Sequence, residues 1–308
     1  MSNQTRTRIL FLGTPEFAAG ILQKLLDEKA DVVGIVTAPD KPAGRGLQVQ
    51  SSAVKQLAEK HKLKIFQPDK LKNQEFLDEI KELNPDLGVV VAFRMMPEAL
   101  WSMPKLGTIN LHASLLPAYR GAAPINRAVM AGEIKTGIST FLLRQEIDTG
   151  DLLMQEEMEI GENETAGSLY NRMMEQGAEL MWKTIQRLMD GNIKPIPQDE
   201  TKVSAAPKIY REDCKINPLK TASEIHNQVR GLNPYPGAFL EWLGKNFKIH
   251  HTKKSELASA TENVGKLISE NNQLYLVCHD EKLEILEIQP EGKRKMTARE
   301  FLAGNKTD

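Results

Sequence analysis

The chain has 308 residues, of which 41% are hydrophobic and 26% are charged, and its net charge is −1. The length allows two domains, and the near-neutral charge excludes a global field for nucleic acid, so any nucleic-acid surface must be a local patch. No apolar run reaches the roughly 18–20 residues that a membrane helix requires, and the first run is too short for the core of a signal peptide. We therefore expect a cytoplasmic protein.

The two cysteines, Cys214 and Cys278, lie far apart in sequence and match no metal-ligand spacing. A structural disulfide would be unusual in a reducing compartment. We expect two unpaired thiols without a catalytic role. Because no cluster of His, Cys and Asp shows ligand spacing, we also expect no metal site.

The first part of the chain alternates short apolar runs with helical patterns. Residues 8–12 and 31–37 have the composition of strands, and residues 86–92 form the continuous apolar run of a central parallel strand buried on both faces. Such alternation implies an α/β fold with parallel strands and right-handed crossovers. The first turn reads G-T-P rather than G-x-G-x-x-G, which argues against a dinucleotide-dependent oxidoreductase.

The pattern changes near residue 190. A long helical segment ends there, and the next stretch is polar, contains prolines and has no periodicity, as a linker would. Short strand-like runs separated by turns follow, which predicts a small β-rich domain with the character of a barrel. We expect a catalytic domain over residues 1–190, a linker over 191–207 and a β domain over 208–308.

Asn110 and His112 lie two residues apart in the run T-I-N-L-H, whose β-branched and apolar residues predict a strand. Their side chains would leave the same face near the strand's carboxyl end, where open α/β sheets place their reacting groups. Asp148 follows a later predicted strand, in D-T-G-D. An amide, an imidazole and a carboxylate are groups that acyl transfer can use.

Each of these residues also has an ordinary interpretation. A lone histidine beside an apolar run is more often a surface or core residue, and a strand-end Asn often caps a turn. D-T-G is the motif of aspartic proteases, but those enzymes bring two copies together and this chain has one. As a local feature, D-T-G-D is a turn.

Three further segments also have two interpretations. Residues 93–97, F-R-M-M-P, are either core or the lining of a pocket for a flat heterocycle. The loop over residues 38–46 holds Arg45 between glycines, either as a solvated side chain or as a grip for an anionic ligand. The basic cluster at residues 293–295 is either solvated surface or a contact to a phosphate backbone.

The chain resembles a known family in blocks spread over almost its full length, and the blocks carry the likeness. They are F-L-G-T-P-E-F-A (11–18), A-P-D-K-P-A-G-R-G (38–46), N-L-H-A-S-L-L-P-A-Y-R-G-A-A-P-I (110–125), I-D-T-G-D-L-L (147–153), R-G-L-N-P-Y-P-G-A (230–238), L-E-I-Q-P-E-G-K-R-K-M (286–296) and E-F-L-A-G (300–304). The third block resembles the folate-dependent formyltransferases. The C-terminal blocks narrow the resemblance to the methionyl-tRNA formyltransferase family.

The resemblance implies transfer of the formyl group of 10-formyltetrahydrofolate to the amino group of methionine on initiator tRNA. It implies a Rossmann-like, mostly parallel N-terminal domain and a C-terminal barrel of the OB type. Asn110, His112 and Asp148 fall on the catalytic positions of the family. The expected folate contacts are Ser114, Leu115, Leu116, Pro117, Phe93 and Met95. The expected tRNA contacts are Lys41, Arg45, Lys208, Lys293, Arg294 and Lys295.

The chemistry expected from these groups needs no covalent enzyme intermediate. The free amine attacks the formyl carbon, the Asn110 amide donates to the developing oxyanion, and His112 or Asp148 takes up the amine proton. Three places depart from the family pattern. Glu146 stands where a Gly is usual, Arg94 stands where a small residue is usual, and the helix after Pro124 reads I-N-R-A-V where a Trp is common.

Other functions remain open at this point. The nearest are a formyltransferase with a small acceptor, such as glycinamide ribonucleotide or an amino-sugar nucleotide, and a 10-formyltetrahydrofolate hydrolase. A catalytically silent RNA-binding protein is a third, but it would not need these groups at a strand end. We expect a monomer without an obligatory protein partner.

Overall fold

The structure, a computed structural model, describes residues 7–43, 48–259 and 263–305. It divides into two compact units whose segments alternate along the chain. The first unit comprises Met1–Arg120, Gly137–Met158 and Asn171–Ala205, and the second comprises Gly121–Thr136, Glu159–Tyr170 and Ala206–Asp308.

Strands and helices alternate over the first half of the described residues, and strands dominate the last third. The strands are β1 (Arg8–Gly13), β2 (Asp31–Val36), β3 (Lys41–Ala43), β4 (Gln48–Gln50), β5 (Ile65–Phe66), β6 (Leu87–Val91), β7 (Thr108–His112), β8 (Lys135–Leu142), β9 (Leu152–Glu159), β10 (Ala238–Trp242), β11 (Lys245–Ala258), β12 (Leu267–Glu270), β13 (Gln273–Val277), β14 (Glu281–Pro290) and β15 (Met296–Thr297). The α-helices are α1 (Glu16–Asp27), α2 (Ala53–Lys60), α3 (Gln74–Glu82), α4 (Glu98–Trp101), α5 (Pro124–Ala131), α6 (Ala166–Met189), α7 (Ala222–Gly231) and α8 (Ala298–Gly304).

The larger sheet runs in the order β5-β2-β1-β6-β7-β8-β9 through the described residues. From β5 to β7 every neighbouring pair is parallel, and β8 joins β7 in the antiparallel sense. Every residue of β6, L-G-V-V-V, is buried, as its continuous apolar sequence predicts for a central strand. The prediction of a mostly parallel α/β sheet is therefore confirmed, and the carboxyl ends of β6 and β7 meet at one sheet edge.

Side-chain caps start several of the helices that cover this sheet. The hydroxyl of Ser52 accepts the Lys55 backbone N–H at the start of α2, and the Asn73 side chain accepts the Phe76 N–H at the start of α3. These caps satisfy donors that the first helical turn leaves without partners. The apolar faces of the helices then pack into a core, which includes Ile80 of α3.

The second unit contains an antiparallel sheet in the order β10-β11-β14-β13-β12, with β15 paired to β14. Helix α7, which begins with a capping box of Thr221 and Glu224, packs on this sheet and on α5. The Asn126 side chain of α5 donates to the Gly231 carbonyl at 2.7 Å. The predicted C-terminal β domain is thereby confirmed, and α5, which precedes it by many residues in sequence, belongs to the same compact unit.

Both cysteines are buried and unpaired in the core of the second unit, as expected. Burial, with the nearby Asp280 charge, raises the pKa of Cys278 to about 12, and burial likewise raises the pKa of Cys214. Both thiols are therefore held in the unreactive, protonated form at neutral pH.

Within the described residues, no helix is long and apolar enough to cross a membrane. The same residues contain no group of three or more His, Cys, Asp or Glu side chains placed to hold a metal ion.

Candidate active site

Strand β7 carries Asn110 and His112 at its carboxyl end, between β6 and β8. Asn110 lies beside Val90 of β6, and His112 lies opposite Ser139 of β8. Because side chains alternate across a strand, the amide and the imidazole leave the same face. The predicted strand and the predicted shared face are both present.

The side-chain oxygen of Asn110 is a buried acceptor that has no hydrogen-bond partner among the described residues. Leaving such a group unpaired costs on the order of 1–3 kcal/mol, so this amide is suited to a ligand group that completes its hydrogen bonds. Rotating the amide by half a turn would present the Nδ2 donor in the same place. Asn110 can therefore either accept from an amine or donate to a carbonyl oxygen.

The His112 ring is only 6% exposed and lies between two fixed partners. Its Nε2 donates to the Tyr119 carbonyl at 2.8 Å, and its Nδ1 lies 3.6 Å from Asp148 Oδ2. Because a carbonyl only accepts, Nε2 carries a proton, and Nδ1 is the ring nitrogen that faces the carboxylate. A proton held between Nδ1 and Oδ2 converts the pair into an imidazolium–carboxylate ion pair.

The D-T-G-D turn presents Asp148 in a conformation that most residues avoid. Asp148 has φ +56°, in the left-handed region that Asp tolerates better than most residues. Two positions later, a Cβ on Gly150 would collide with the Leu142 carbonyl, so the turn accepts only glycine there. The glycine of D-T-G is thus required by the backbone of this turn.

Gln198 joins the two loops that hold His112 and Asp148. Its Nε2 donates to the Asp148 and Gly150 carbonyls, both at 2.8 Å. Its Oε1 accepts from Arg120 Nη2 at 2.7 Å and from Arg120 Nε at 3.0 Å. Arg120 directly follows Tyr119, whose carbonyl accepts from His112, so one side chain ties both partners of the pair into one network.

The Arg120 side chain is also fixed from its other side. Its two terminal nitrogens bond the two Glu200 oxygens at 2.8 and 3.1 Å, and these bonds hold the pKa of Glu200 below its usual range. The Tyr119 backbone N–H donates to the Ser204 hydroxyl at 2.9 Å. Residues 198–204, which the sequence places in a linker, therefore pack against the loop that contains Tyr119 and Arg120.

The predicted folate segment follows β7 and forms a tight turn. The Ala118 N–H donates to the Leu115 carbonyl at 3.0 Å, and the Leu116–Pro117 bond within the turn is cis. The Ser114 hydroxyl is buried and donates to the Ala118 carbonyl at 2.6 Å, so it stabilises the turn itself. Leu115 and Pro117 are half-buried, while Leu116 is buried.

Hydrogen bonds with Ser139 of β8 and Gln155 of β9 hold this turn in place. The Leu116 N–H donates to the Ser139 hydroxyl at 3.0 Å, which in turn donates to the Ser114 carbonyl at 2.6 Å. Gln155 Nε2 donates both to that hydroxyl and to the Leu116 carbonyl, at 2.8 and 2.9 Å. The backbone of the turn is therefore fixed before any ligand arrives.

The segment after β6 presents its side chains unevenly. Phe93 packs against the core of the first unit, whereas Met95 is 73% exposed. Arg94 donates to the Pro68 and Asp69 carbonyls at 2.5 and 3.1 Å and lies beside the Phe93 ring. Arg94, which departs from the family pattern, thus stabilises this loop. Glu146, which also departs from the pattern, is exposed in the turn before Asp148.

The residues predicted to contact tRNA lie in both units. Arg45 is outside the described residues, while Lys41 is exposed on β3, which pairs with β4. In the second unit, Lys208 and Lys293 are exposed. Two others are paired with carboxylates: Arg294 with Glu300 at 2.8 Å and Lys295 with Glu287 at 2.8 Å.

Sequence reasoning missed Gln198, Ser139, Gln155 and the carbonyl of Tyr119. The three side chains act through hydrogen bonds between segments distant in sequence and lie in no pattern that marks chemistry, and the Tyr119 carbonyl is a backbone group that no side-chain motif reveals. The signal that could have drawn attention to Gln198 is a polar residue that directly follows two closely spaced prolines in a stretch without periodicity.

Comparisons with known proteins identify the family of the chain. Residues 7–185 match the family described as formyl transferase, and residues 208–306 match the formyl transferase C-terminal domain. The methionyl-tRNA formyltransferase of Azobacteroides pseudotrichonymphae is 45% identical, and the match covers 98% of this chain and 97% of that protein.

Two solved structures share the fold. HypX from Aquifex aeolicus, crystallised with tetrahydrofolic acid, aligns with a TM-score of 0.67 at 18% identity, covering 99% of this chain and 49% of that one. This chain therefore spans about half the length of HypX. WlaRD, a sugar 3N-formyl transferase, aligns with a TM-score of 0.67 at 21% identity, covering 94% and 99% of the two chains. From the family matches and the full-length identity, the chain belongs to the methionyl-tRNA formyltransferase family.

Proposed function

We propose that this protein transfers the formyl group of 10-formyltetrahydrofolate to the amino group of methionyl initiator tRNA, for translation initiation in the cytoplasm. The observation that carries the proposal is the buried His112 facing the half-buried Asp148, in the same site as the unpaired amide oxygen of Asn110. Identity of 45% to a methionyl-tRNA formyltransferase over 98% of the chain supports the choice of acceptor.

On the basis of this geometry we assign a separate task to each group. Asn110, whose amide oxygen lacks a partner and whose amide can rotate to present Nδ2, is the donor for the oxygen on which charge develops when the amine attacks the formyl carbon. Such a donor is worth on the order of 3–4 kcal/mol in acyl-transfer sites. The His112 Nε2 is bonded to the Tyr119 carbonyl and its Nδ1 faces Asp148 Oδ2 at 3.6 Å, so its task is to hold a proton against Asp148 rather than to meet the oxyanion.

The proton balance of the transfer then runs through the pair. The new bond joins the methionyl nitrogen to the formyl carbon, and the bond from that carbon to the folate nitrogen breaks. The amine gives up one proton and the departing nitrogen gains one. Asp148 accepts the amine proton, His112 Nδ1 shares that proton with Asp148 Oδ2, and the pair then gives the same proton to the departing folate nitrogen.

The turn at Ser114–Pro117 is our proposed folate contact. Its backbone is fixed by Ser139 and Gln155, which gives a rigid wall at low entropic cost on binding. The half-buried faces of Leu115 and Pro117 offer apolar surface, with Phe93 and Met95 completing the pocket for the pterin ring. HypX, which has the same fold, was crystallised with tetrahydrofolic acid.

The division of labour follows the sequence expectation. Residues 1–190 hold the chemistry, residues 191–207 connect and brace, and residues 208–308 bind tRNA, with Lys41 and Arg45 contacting the acceptor end. The tRNA contacts of the last region are Lys208, Lys293, Arg294 and Lys295. A monomer is sufficient for this scheme.

The rival functions use the same site with another acceptor. WlaRD has this fold and is a sugar formyltransferase, so the fold does not decide between acceptors. The full-length identity to a tRNA-acting relative does favour tRNA.

The test offers the purified protein and 10-formyltetrahydrofolate four acceptors in parallel: methionyl initiator tRNA, methionyl elongator tRNA, glycinamide ribonucleotide and an amino-sugar nucleotide. A fifth reaction without acceptor measures hydrolysis. We expect formylation of the initiator tRNA to exceed every other reaction in kcat/KM. A higher kcat/KM for either nucleotide acceptor, or donor loss unaffected by tRNA, would refute the proposal.

A further inference from the structure

A concave site lies on the surface of the second unit, outside the catalytic groups. It has a volume of about 510 Å³, within the rough 300–1,000 Å³ range of small-molecule sites. Three chain segments meet there: residues 209–214, residues 235–239 and the turn at residues 289–292. Its principal side chains are Tyr210, Arg211, Tyr235, Phe239, Lys248 and Gln289.

Two tyrosines of this site expose their rings to solvent. Tyr235 is 82% exposed and Tyr210 is 60% exposed, whereas Tyr275 of the same unit is buried in the sheet. An exposed aromatic ring at a concave site provides a face on which a nucleobase stacks. Tyr235 lies in the N-P-Y-P block, which no step of the catalytic mechanism uses.

The cations around the site differ from their neighbours in lacking carboxylate partners. Within the described residues, no ion pair involves Lys208, Arg211 or Lys248. Lys208 Nζ lies 6.0 Å from the centre of the Tyr210 ring, and Lys248 Nζ donates to the Pro236 carbonyl at 3.1 Å. These positive charges are therefore available to an anionic ligand.

Lys293 extends this set from the far end of the chain. Its N–H donates to the Pro290 carbonyl, and its own carbonyl accepts from Gln289, so it belongs to the turn that lines the site. It too makes no ion pair among the described residues, unlike Arg294 and Lys295 next to it.

The acidic side chains near the site leave an excess of positive charge. Glu291 lines it and accepts the Asn246 N–H at 3.1 Å, and Glu212 is exposed next to Arg211. Against these two carboxylates stand four unpaired cations from Lys208, Arg211, Lys248 and Lys293.

We propose that this site binds an unpaired nucleotide of the tRNA substrate, with its base stacked on Tyr235 and Tyr210 and its phosphates near Lys208, Lys248 and Lys293. The proposal rests on the proposed function, because it names a contact made by that substrate. Exposed rings combined with unpaired cations around a base-sized hollow are the features of single-stranded nucleic-acid sites, whereas an apolar peptide would need no cations.

The test compares three variants by their steady-state constants for methionyl initiator tRNA. Tyr235→Ala removes the ring, Tyr235→Phe keeps it, and Leu243→Ala is the control, since Leu243 is a 78% exposed apolar side chain of the same unit. Because stacking on one ring is worth ~1–3 kcal/mol, we expect Tyr235→Ala to raise the KM for tRNA about tenfold. The KM for 10-formyltetrahydrofolate should stay unchanged, and Tyr235→Phe and Leu243→Ala should match the wild type.

Tyr210→Ala provides a second ring deletion in case the first variant folds poorly, and thermal unfolding monitors both. Lys248→Ala should reduce the slope of log KM against log salt concentration by about 0.7–0.9, the value for one lost phosphate contact. Unchanged KM for tRNA in both Tyr235→Ala and Tyr210→Ala, with both variants folded, would overturn the proposal.

Direct binding separates this proposal from the proposed function. Fluorescence anisotropy with unacylated tRNA requires no catalysis, so weaker binding by Tyr235→Ala supports the site even if formylation is never observed. If instead the wild type formylates tRNA and binds adenosine monophosphate at this site with no effect of Tyr235→Ala on tRNA, the site belongs to a free nucleotide and the proposal fails.

Discussion

The proposed catalytic pair and the cations proposed to face RNA occupy opposite environments. His112 is buried, its Nε2 donates to the Tyr119 carbonyl, and its Nδ1 faces Asp148 Oδ2 at 3.6 Å. Asp148 is held by its turn. Lys208 and Lys293 are exposed and make no ion pair within the described residues. The His112–Asp148 pair is held by protein partners before substrate arrives, whereas these lysines are left available to a ligand.

The difference follows from what each task requires. A group that moves a proton must be held at a fixed distance in a site that excludes water, where its electrostatic effect is large. A group that meets a phosphate backbone gains by releasing counterions, and a pre-existing carboxylate partner would have to be displaced first. Titratable groups that are fixed by protein partners therefore indicate proton transfer, and exposed cations without ion pairs indicate nucleic-acid binding.

The largest expected effect is that of removing the His112 imidazole from the His112–Asp148 pair. His112→Ala removes the imidazole that holds the proton against Asp148, so kcat should fall on the order of 10²–10⁴-fold, the range for general acid–base groups. The thermal unfolding midpoint and the KM for 10-formyltetrahydrofolate should change little. His61→Ala, at an exposed histidine of the first unit, is the control and should keep wild-type kcat.

A smaller effect is expected for Gln198, which holds the Asp148 turn in place without belonging to the pair. Gln198→Leu removes the four hydrogen bonds that join Arg120 to the Asp148 turn, so kcat should fall on the order of tenfold to a hundredfold through misplacement of the carboxylate. The KM for both substrates should be nearly unchanged. Gln74→Leu, which breaks only a local bond to Asp78 on α3, should have no effect on kcat. Equal kcat in the two variants would show that the brace does not position Asp148.

Among the exposed cations, we expect Lys293 and Lys295 to contribute unequally to tRNA binding. Lys293→Ala removes an unpaired cation and should reduce the salt slope of tRNA binding by about 0.7–0.9. Lys295→Ala removes a cation already paired with Glu287 and should change the slope less. Measuring KM for tRNA at several salt concentrations tests this order. A larger effect of Lys295→Ala would mean that ion pairing does not mark the residues that bind RNA.

The smallest expected effect is on stability rather than activity. Burial first, and then the charges of Arg230 and Lys254, hold the pKa of His226 below its usual range, while the Glu162 carbonyl opposes them. The folded protein thus keeps His226 neutral, and the unfolded chain takes up a proton near its ordinary pKa of 6.5. The stabilisation is present above that pH and is lost as the pH falls through the lowered pKa of the folded state.

The thermal unfolding midpoint should therefore decrease between pH 7.5 and 5.5. His226→Gln cannot titrate and should weaken this dependence, leaving the part due to His250, whose pKa burial also lowers. An unchanged dependence in the variant would exclude His226 as a contributor.

The sequence predicted those parts of the fold and site that depend on local pattern. Alternation along T-I-N-L-H placed Asn110 and His112 on one face, and the apolar run of β6 predicted a buried central strand. The motif D-T-G-D supplied Asp148, although the reason for its glycine, the close approach of the Leu142 carbonyl, appears only in three dimensions.

What the sequence could not give depends on contacts between distant segments. Gln198 lies 50 residues from Asp148 and 78 from Arg120, and nothing in its neighbourhood marks it as a brace. In the same way, the basic run at residues 293–295 reads as three equal charges. Only the positions of Glu287 and Glu300 distinguish the paired residues from Lys293.

The most direct test of the central claim is the rate at which Asp148→Asn forms formyl-methionyl-tRNA with both substrates saturating. Asn has nearly the same shape, tolerates the left-handed backbone and leaves the bonds from Gln198 to the Asp148 carbonyl in place, so only the charge facing His112 is removed. We predict a loss on the order of 10²–10⁴-fold with unchanged unfolding temperature and unchanged KM for the folate. A rate within twofold of the wild type would contradict the assignment of the His112–Asp148 pair as the proton carrier.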